Sequence, residues 1–215
     1  MNIEQAIDKL NQMKLYGMTE ALQQQDKTAD ITTLSFDERL GLMVDAEYSS
    51  LNNRKLRRYL TEAKLRHSQA CIEDIDYNPN RKIDKSVVLQ LISCRWVKDN
   101  HSVIITGKTG VGKSYLACAL ANQACRKGFR CLYRRASRLF EELMLAHADG
   151  TYAKLLARFA KIDVLVIDDF ALSPITDMNR RDLLEVLEDR DGLKSTIVTS
   201  QLEPDDWHAF IGEPT

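Results

Sequence analysis

The chain has 215 residues, of which 44% are hydrophobic and 28% charged, and its formal net charge at pH 7 is −1. These values are typical of a globular protein long enough for one medium domain and a second, smaller one, and they exclude a uniformly basic nucleic-acid-binding coat. No signal-peptide pattern opens the chain and no apolar run approaches the ~20 residues of a membrane span, so we expect a cytoplasmic protein without membrane contact.

Residues 1–68 are predicted to form an all-α domain. Apolar residues recur near the helical period within residues 2–25, and Gly17 is the expected break between two helices. Ser35 and Glu38 have the spacing of a capping box at the start of a long helix. The pair Asn52-Asn53 is a candidate break in that long helix.

Residues 54–66 form the most basic run of the chain. One interpretation is a solvated helical face; the other is contact with the phosphate backbone of a nucleic acid, where basic side chains displace counterions. The density of arginine slightly favours nucleic acid, as does an acidic segment from Glu4 to Asp45 that leaves this run as a local island. The residues predicted to make this contact are Arg54, Lys55, Arg57, Arg58, Lys64 and Arg66.

Residues 69–215 are predicted to form a second domain in which strands and helices alternate. A loop around Pro79 and a helix capped by Asp84 lead to a first strand at Val103–Thr106. Further strands are expected at residues 129–133, 163–169 and 195–201, separated by helices that include residues 137–148, 151–161 and 177–190. This alternation predicts an α/β fold with a parallel sheet flanked by helices and a ligand at the carboxyl ends of the strands.

The first strand runs directly into Gly107-x-x-x-x-Gly112-Lys113-Ser114, and an apolar helix pattern follows. This phosphate-loop motif arises by chance at about one position in 30,000, and it has the strand and helix that it requires. We expect the loop amides and the helix start to bind phosphate, Lys113 to bridge the β- and γ-phosphates, and the Ser114 hydroxyl to ligate Mg²⁺. The residues predicted to bind the nucleotide are Gly107, Lys108, Thr109, Gly110, Val111, Gly112, Lys113, Ser114 and Tyr115.

Two carboxylates, Asp168 and Asp169, follow the apolar run Val164–Ile167. With a phosphate loop upstream, the first is predicted to hold Mg²⁺ together with Ser114, and the second to orient and deprotonate the attacking water. The alternative is that they cap a turn after the strand, and it is stronger for Asp169. One polar residue at the end of the last strand is expected to hold the water or the γ-phosphate, and the sequence leaves open which. The predicted catalytic residues are Lys113, Asp169, Thr199 and Ser200, with Gln201 as the further candidate.

The five cysteines are scattered and no two form a C-x-x-C pair. The four histidines are equally dispersed, so the sequence contains no zinc-site spacing. Cys118 and Cys125 lie seven residues apart on the helix after the phosphate loop, where small core residues are expected. We therefore predict structural thiols.

Several stretches, in this order, resemble the AAA+ class of ATPases and, within it, the IstB/DnaC type, with IstB-like transposition helpers the most similar. Together they cover nearly the whole chain, which makes the resemblance more specific than the phosphate loop alone. The stretches are Leu15–Leu22, Ile72–Asp76, Ile105–Ser114, Val164–Phe170, Leu183–Arg190, Thr196–Gln201, and Trp207-His208 with Ile211-Gly212.

The resemblance implies an ATP-dependent regulator of an insertion sequence, with an all-α N-terminal domain ahead of an AAA+ core that uses ATP and Mg²⁺. Members of the family assemble as oligomers on double-stranded DNA, largely without sequence preference, and recruit or stimulate the partner transposase. The resemblance thus strengthens the prediction that the basic run contacts DNA.

The chain departs from the family pattern in two places. The wider class usually ends its acidic strand in Asp-Glu, whereas this chain has Asp168-Asp169, which leaves the identity of the water-activating base open. Family members also continue beyond the position of Thr215, through a segment with the arginine finger that a neighbouring subunit receives. Because such an arginine is worth ~10³–10⁵ in rate, we expect this chain to turn over ATP weakly.

Three alternative functions remain at this stage. A helicase loader of the DnaC type would share the core and differ in what the N-terminal helices bind. A small-molecule P-loop kinase would need an arginine-rich lid, for which no strong candidate follows residue 170. A scaffold that binds ATP and DNA without hydrolysis is the third.

Overall fold

The computed structural model describes residues 2–28, 31, 33–77, 83–172 and 174–211, and of residues 208–210 it describes the backbone. Pro79, in the predicted loop, and the family position Gly212 lie outside the described residues. The chain divides into two compact units, Met1–Arg58 and Tyr59–Thr215. No helix among the described residues is both long enough and apolar enough to cross a bilayer.

The first unit is helical, as predicted. It contains α1 (Ile3–Gln12), α2 (Tyr16–Lys27) and most of α3 (Phe36–Ala63). The capping box is present, because the Ser35 amide donates to the Glu38 carboxylate at 2.7 Å and the Glu38 amide donates to the Ser35 hydroxyl at 3.3 Å. The candidate break at Asn52-Asn53 was wrong: α3 is continuous there, since asparagine costs a helix interior well under about 1 kcal/mol and its neighbours are good helix formers.

Gly17 lies inside α2 and does not separate two helices, contrary to the prediction. A Cβ atom added at this position would lie 2.4 Å from the carbonyl oxygen of Ala46 in α3. The glycine is therefore required for the close approach of two helices, and the break falls earlier, at residues 13–15.

The buried carboxylate of Glu47 caps the start of α2. Its Oε2 atom accepts hydrogen bonds from the amides of Gly17 and Met18 at 2.7 and 3.2 Å, which satisfies two donors that the first turn of a helix leaves open. Its Oε1 atom pairs with the Arg54 guanidinium at 2.8 Å. Arg54 also donates to the carbonyl of Lys14 at 3.2 Å, so this arginine contributes to the packing of the first unit.

The second unit is an α/β domain whose elements alternate as predicted. A 3₁₀ turn at Ile72–Asp74 and two short helices precede the first strand, and the second helix starts after Cys94, whose φ of 56° ends the first one. Asp84 caps the first of these helices through the Ser86 amide at 2.8 Å. In chain order the elements are α4 (Lys85–Ile92), α5 (Arg95–Lys98), β1 (Val103–Thr106), α6 (Lys113–Arg126), β2 (Cys131–Arg135), α7 (Ala136–Asp149), α8 (Tyr152–Ala160), β3 (Val164–Phe170), α9 (Asp177–Glu188), β4 (Ser195–Ser200) and α10 (Pro204–Ile211).

The four strands form one parallel sheet in the order β1-β4-β3-β2, which confirms the predicted fold class. The apolar residues of β3 are buried, as expected for a central strand covered by helices on both faces. β2 lies two residues further along the chain than predicted, because Arg134 is itself buried and paired with Glu142 at 2.7 Å. All four carboxyl ends consequently meet at one edge of the sheet.

A buried arginine joins the elements at the opposite edge. Arg190 follows α9, is 1% exposed, and donates to the carbonyls of Phe159, Ile162 and Ser195. It also donates to the hydroxyl of Thr196 at 3.1 Å. Burial lowers the pKa of Arg190 to about 10, so the guanidinium is still charged at neutral pH.

We predict that Arg190→Met destabilises the fold by at least about 3 kcal/mol, because three buried carbonyls lose their donor. The measurement is the urea unfolding midpoint of the second unit. The matched control is Arg95→Met, since Arg95 is 84% exposed and its ion pair with Asp99 spans 3.3 Å, a contact worth less than about 1 kcal/mol. Equal midpoints for the two variants would contradict the prediction.

Candidate functional site

The loop between β1 and α6 wraps around the side chain of Lys113. The ammonium of this buried lysine donates to the carbonyls of Gly107 and Lys108 at 2.7 and 3.0 Å. Gly110 and Gly112 have φ angles of 83° and 99°, which glycine adopts without the steric cost that a Cβ atom brings. The loop therefore ends at the first turn of α6, where amides without helical partners are available to bind an anion.

The carboxylate of Asp168, at the end of β3, accepts hydrogen bonds from three different elements. Its Oδ1 atom accepts from Ser114 in α6 at 2.9 Å and from Thr199 in β4 at 2.5 Å. Its Oδ2 atom accepts from the Tyr133 hydroxyl in β2 at 2.6 Å. Asp168 is fully buried, so these contacts fix its orientation toward the start of α6.

Tyr133 was not predicted as a site residue. Burial, followed by the hydrogen bond to Asp168, raises the pKa of Tyr133 well above its ordinary value. The phenol therefore keeps its proton and acts as a donor to the carboxylate. The signal was present in the sequence, because Tyr133 lies near the carboxyl end of a strand parallel to β3 and hence at the same sheet edge.

Asp169 lies in a bulge of β3. The pairing with β4 passes from Ile167–Val198 to Phe170–Ser200, so two residues of β3 oppose one of β4. The amide of Asp169 donates to the Thr199 hydroxyl at 3.0 Å, and its φ of 58° is left-handed. A bulge redirects side chains, and here it turns the second carboxylate toward the cleft beside the first.

Two arginines approach this second carboxylate. Arg135, the last residue of β2, forms an ion pair between its Nε and the Asp169 Oδ2 at 2.8 Å. The Nη1 atom of Arg66 lies 3.6 Å from the same oxygen and 3.8 Å from Asp168 Oδ2. Arg66 was predicted to contact nucleic acid, whereas the structure has it in the cleft; its role toward DNA stays a prediction.

These groups line one cleft of about 410 Å³. Ser200 does not point toward the acids, because its hydroxyl accepts from the Leu202 amide at 3.0 Å, while Gln201 reaches the cleft. The Tyr115 ring lies 6.0 Å from the ring of His67, and Lys108 and Val111 are exposed on the loop. The residues that line the cleft are Arg66, His67, Thr109, Gly110, Lys113, Ser114, Arg135, Asp169, Leu172 and Gln201.

The other residues of the basic run lie along α3 and at its end. Arg54 is half-buried and held by Glu47, whereas Lys55, Arg57, Arg58 and Lys64 are exposed. The run crosses the boundary between the two compact units at Arg58. Its contact with DNA stays a prediction.

The donor set at the end of β3 suits a hard divalent cation. Ser114 supplies a hydroxyl oxygen and Asp168 a carboxylate oxygen, and the two atoms lie 2.9 Å apart. Oxygen ligands of this kind, combined with phosphate oxygens, are those that Mg²⁺ takes in nucleotide sites. The arrangement therefore fits a magnesium nucleotide held between the loop, the start of α6 and the end of β3.

Comparisons with known proteins agree with this geometry. A family model described as IstB-like ATP binding protein matches residues 8–215. A Pseudomonas fluorescens protein, named for insertion sequence IS1162 and for ATP binding, is 44% identical over 94% of this chain and 87% of its own length. The similarly named protein y4pL of Sinorhizobium fredii is 45% identical over 97% of this chain and 85% of its own length.

Two solved structures share the fold. A DnaC helicase loader has a TM-score of 0.59 at 23% identity, covering 69% of this chain and 90% of that chain. DnaA from Aquifex aeolicus, bound to AMPPCP, has a TM-score of 0.57 at 19% identity, covering 64% of this chain and 43% of that chain. At these identities the likeness shows a shared fold and nothing more. Since the family model spans almost the whole chain, the chain belongs to the IstB-like ATP-binding proteins of insertion sequences.

Proposed function

We propose that this protein is a magnesium-dependent ATPase that binds target DNA and recruits or stimulates the transposase of its insertion sequence. The observation that carries the ATPase half is the 2.9 Å contact between Ser114 and Asp168 beside the buried Lys113. It joins the two oxygen ligands of a cation to a lysine placed for phosphate. Bound Mg²⁺ would neutralise phosphate charge and orient the terminal group.

Each residue of the site has a separate task in hydrolysis. Lys113 and the amides of the loop bind the phosphates, and Tyr133 and Thr199 hold Asp168 in place. Asp169 takes the proton of the attacking water, whose oxygen bonds to the γ-phosphorus as the bond to the β–γ bridging oxygen breaks; the proton then passes to inorganic phosphate. Arg135 orients the Asp169 carboxylate through its 2.8 Å ion pair.

The assignment of Thr199 follows from its two hydrogen bonds. Its hydroxyl donates to Asp168 and accepts from the amide of Asp169, so it links β4 to both acids. Ser200, the other predicted catalytic residue of this strand, is engaged in the turn after β4. We therefore assign the positioning of the acids to Thr199, and water or γ-phosphate contact to Gln201, which lines the cleft.

The DNA half of the proposal is supported by the insertion-sequence relatives and by the basic run of α3. We assign phosphate contacts to Lys55, Arg57, Arg58 and Lys64, whose side chains are exposed, and none to Arg54, which pairs with Glu47. Such contacts are independent of sequence, as expected for a protein that marks many target sites. Self-association on DNA, and a partner transposase, complete the proposal.

A helicase loader is the second candidate, favoured by the DnaC structure of which this chain covers 90%. At 23% identity that likeness concerns the fold, whereas the insertion-sequence relatives reach 44 and 45%. Retention of a replicative helicase by the full chain, in preference to the transposase, would reverse this order.

We predict that a gel shift of double-stranded DNA requires ATP and is absent with ADP. Lys113→Ala should abolish the shift, because the phosphates lose their buried cation. The control is Lys127→Ala, which removes an exposed lysine at the far end of α6. An undiminished shift by Lys113→Ala, with its thermal transition intact, would exclude ATP-gated binding.

We predict that Asp169→Asn retains ATP binding and loses hydrolysis by about 10²–10⁴, the usual contribution of a general base. The readouts are phosphate release and the affinity for ATP, each with and without DNA. Asp191→Asn, in the turn before β4 at the other edge of the sheet, is the control. If the wild-type chain releases no phosphate in either condition, the protein is a non-hydrolysing scaffold.

We predict that the double variant Arg57→Ala, Arg58→Ala weakens DNA binding and lowers the slope of log affinity against log salt by about 2, one for each lost phosphate contact. The double variant Lys9→Ala, Lys27→Ala removes the same charge from exposed positions of the same unit and should leave the slope unchanged. Equal slopes for both variants would remove α3 from the DNA interface.

A further inference from the structure

Arg66 occupies a fixed place at the cleft although it follows a long helix. α3 ends at the fully buried Ala63, and Lys64 turns the chain with a left-handed φ of 51°. Ala70 and Ile72 are buried again on the other side. The short segment that carries Arg66 is therefore anchored at both ends, which brings its side chain to the carboxyl edge of the sheet.

The guanidinium of Arg66 is near both acids without being tightly paired to either. Its Nη1 atom lies 3.8 Å from Asp168 Oδ2 and 3.6 Å from Asp169 Oδ2, and both distances exceed that of a hydrogen bond. Arg135, by contrast, contacts Asp169 at 2.8 Å. The side chain of Arg66 is 49% exposed, so it has room to change its rotamer.

Each carboxylate at the cleft has a partner other than Arg66, so the Arg66 guanidinium is available to bind an additional anion. Arg135 neutralises Asp169, and Asp168 is committed to three hydroxyl groups and to the proposed cation. Lys113 lies on the loop side of the proposed nucleotide site, where its ammonium donates to two loop carbonyls. Arg66 lies on the side of the two acids, which is the side where the terminal phosphate must meet the attacking water.

Resting on the ATPase proposed above, we infer that Arg66 binds the terminal phosphate of ATP from within the same chain. A guanidinium donates two parallel hydrogen bonds to phosphate oxygens, so this contact requires the γ-phosphate and is absent with ADP. Arg66 transfers no proton. It distinguishes the triphosphate from the diphosphate, and it stabilises the charge that develops on the transferring group.

An Arg66 that binds the nucleotide is not one of the DNA-binding residues. A phosphate of DNA and the terminal phosphate of ATP offer the same chemistry to a guanidinium, and only the position of the arginine separates them. The position of Arg66 in the lining of the cleft, within 3.8 Å of both carboxylates, favours the nucleotide. The experiment must therefore measure nucleotide affinity and DNA affinity separately.

The test compares Arg66→Ala, Arg66→Lys and a control, Arg126→Ala, by calorimetric titration with magnesium and either AMPPNP or ADP. Arg126 is an exposed arginine paired with Glu73 at 2.9 Å, about 20 Å along α6 from the loop. We expect Arg66→Ala to weaken AMPPNP binding about tenfold to a hundredfold, the range for a hydrogen bond to a charged group, and ADP binding less than about twofold. Arg66→Lys, which keeps the charge and loses the fork, should be intermediate, and the control unchanged.

Two results would overturn the inference: equal weakening of both nucleotides, or unchanged affinity for both. Loss of DNA binding measured at AMPPNP concentrations that saturate both wild type and variant, with a lower salt slope, would return Arg66 to the DNA interface. Should Arg66→Ala lose its thermal transition, Arg66→Gln keeps the side-chain carbons through Cδ and a polar end group, and it gives the same comparison. Failure of the ATPase proposal itself is distinct, because wild type would then bind neither nucleotide, or Lys113→Ala would bind both normally.

Discussion

The site depends on a single buried carboxylate that three elements hold in common. Asp168 receives hydroxyl donors from α6, β2 and β4, and a buried carboxylate is stable only when such donors satisfy it. Its position thereby fixes the distance between the phosphate loop and the carboxyl ends of the strands. A nucleotide that bridges these parts meets ligands that are already oriented, which limits the cost of ordering them on binding.

The neighbouring carboxylate is positioned by backbone geometry. In a regular strand, successive side chains point to opposite faces of the sheet. The bulge in β3 and the left-handed φ of Asp169 instead allow the carboxylates of Asp168 and Asp169 to lie close together at the carboxyl end of the sheet. Left-handed backbone at a non-glycine residue is uncommon and concentrates at functional sites. The ion pair with Arg135 then fixes the direction of the carboxylate, so the two acids hold distinct environments although they are adjacent in sequence.

Sequence patterns predicted the features that residues close together in the chain determine. The strand, loop and helix around Lys113, the four-stranded parallel sheet and the meeting of Asp168 with Ser114 all follow from motif spacing and from the rule for parallel strands. Gly17 was misread because its role is a contact with Ala46, 29 positions away in the chain and therefore outside any local pattern. Arg66 was grouped with its basic neighbours because no sequence pattern predicts the left-handed backbone of Lys64, at which the chain leaves the direction of α3. Tyr133 and Arg135 could have been predicted as site residues, because the carboxyl ends of parallel strands meet at one edge of the sheet and both residues lie at that end of β2.

The buried guanidinium of Arg190 gives the sheet two ends of different character. Near the amino ends of β3 and β4 it donates to three buried carbonyls that would otherwise lack a donor. The carboxyl ends instead carry the side chains of the candidate site. A selection for the amount of folded protein would thus detect substitutions at the amino ends of the strands and miss most of those at the carboxyl ends. Substitutions that impair nucleotide use without lowering the amount of folded protein are accordingly expected at the carboxyl end.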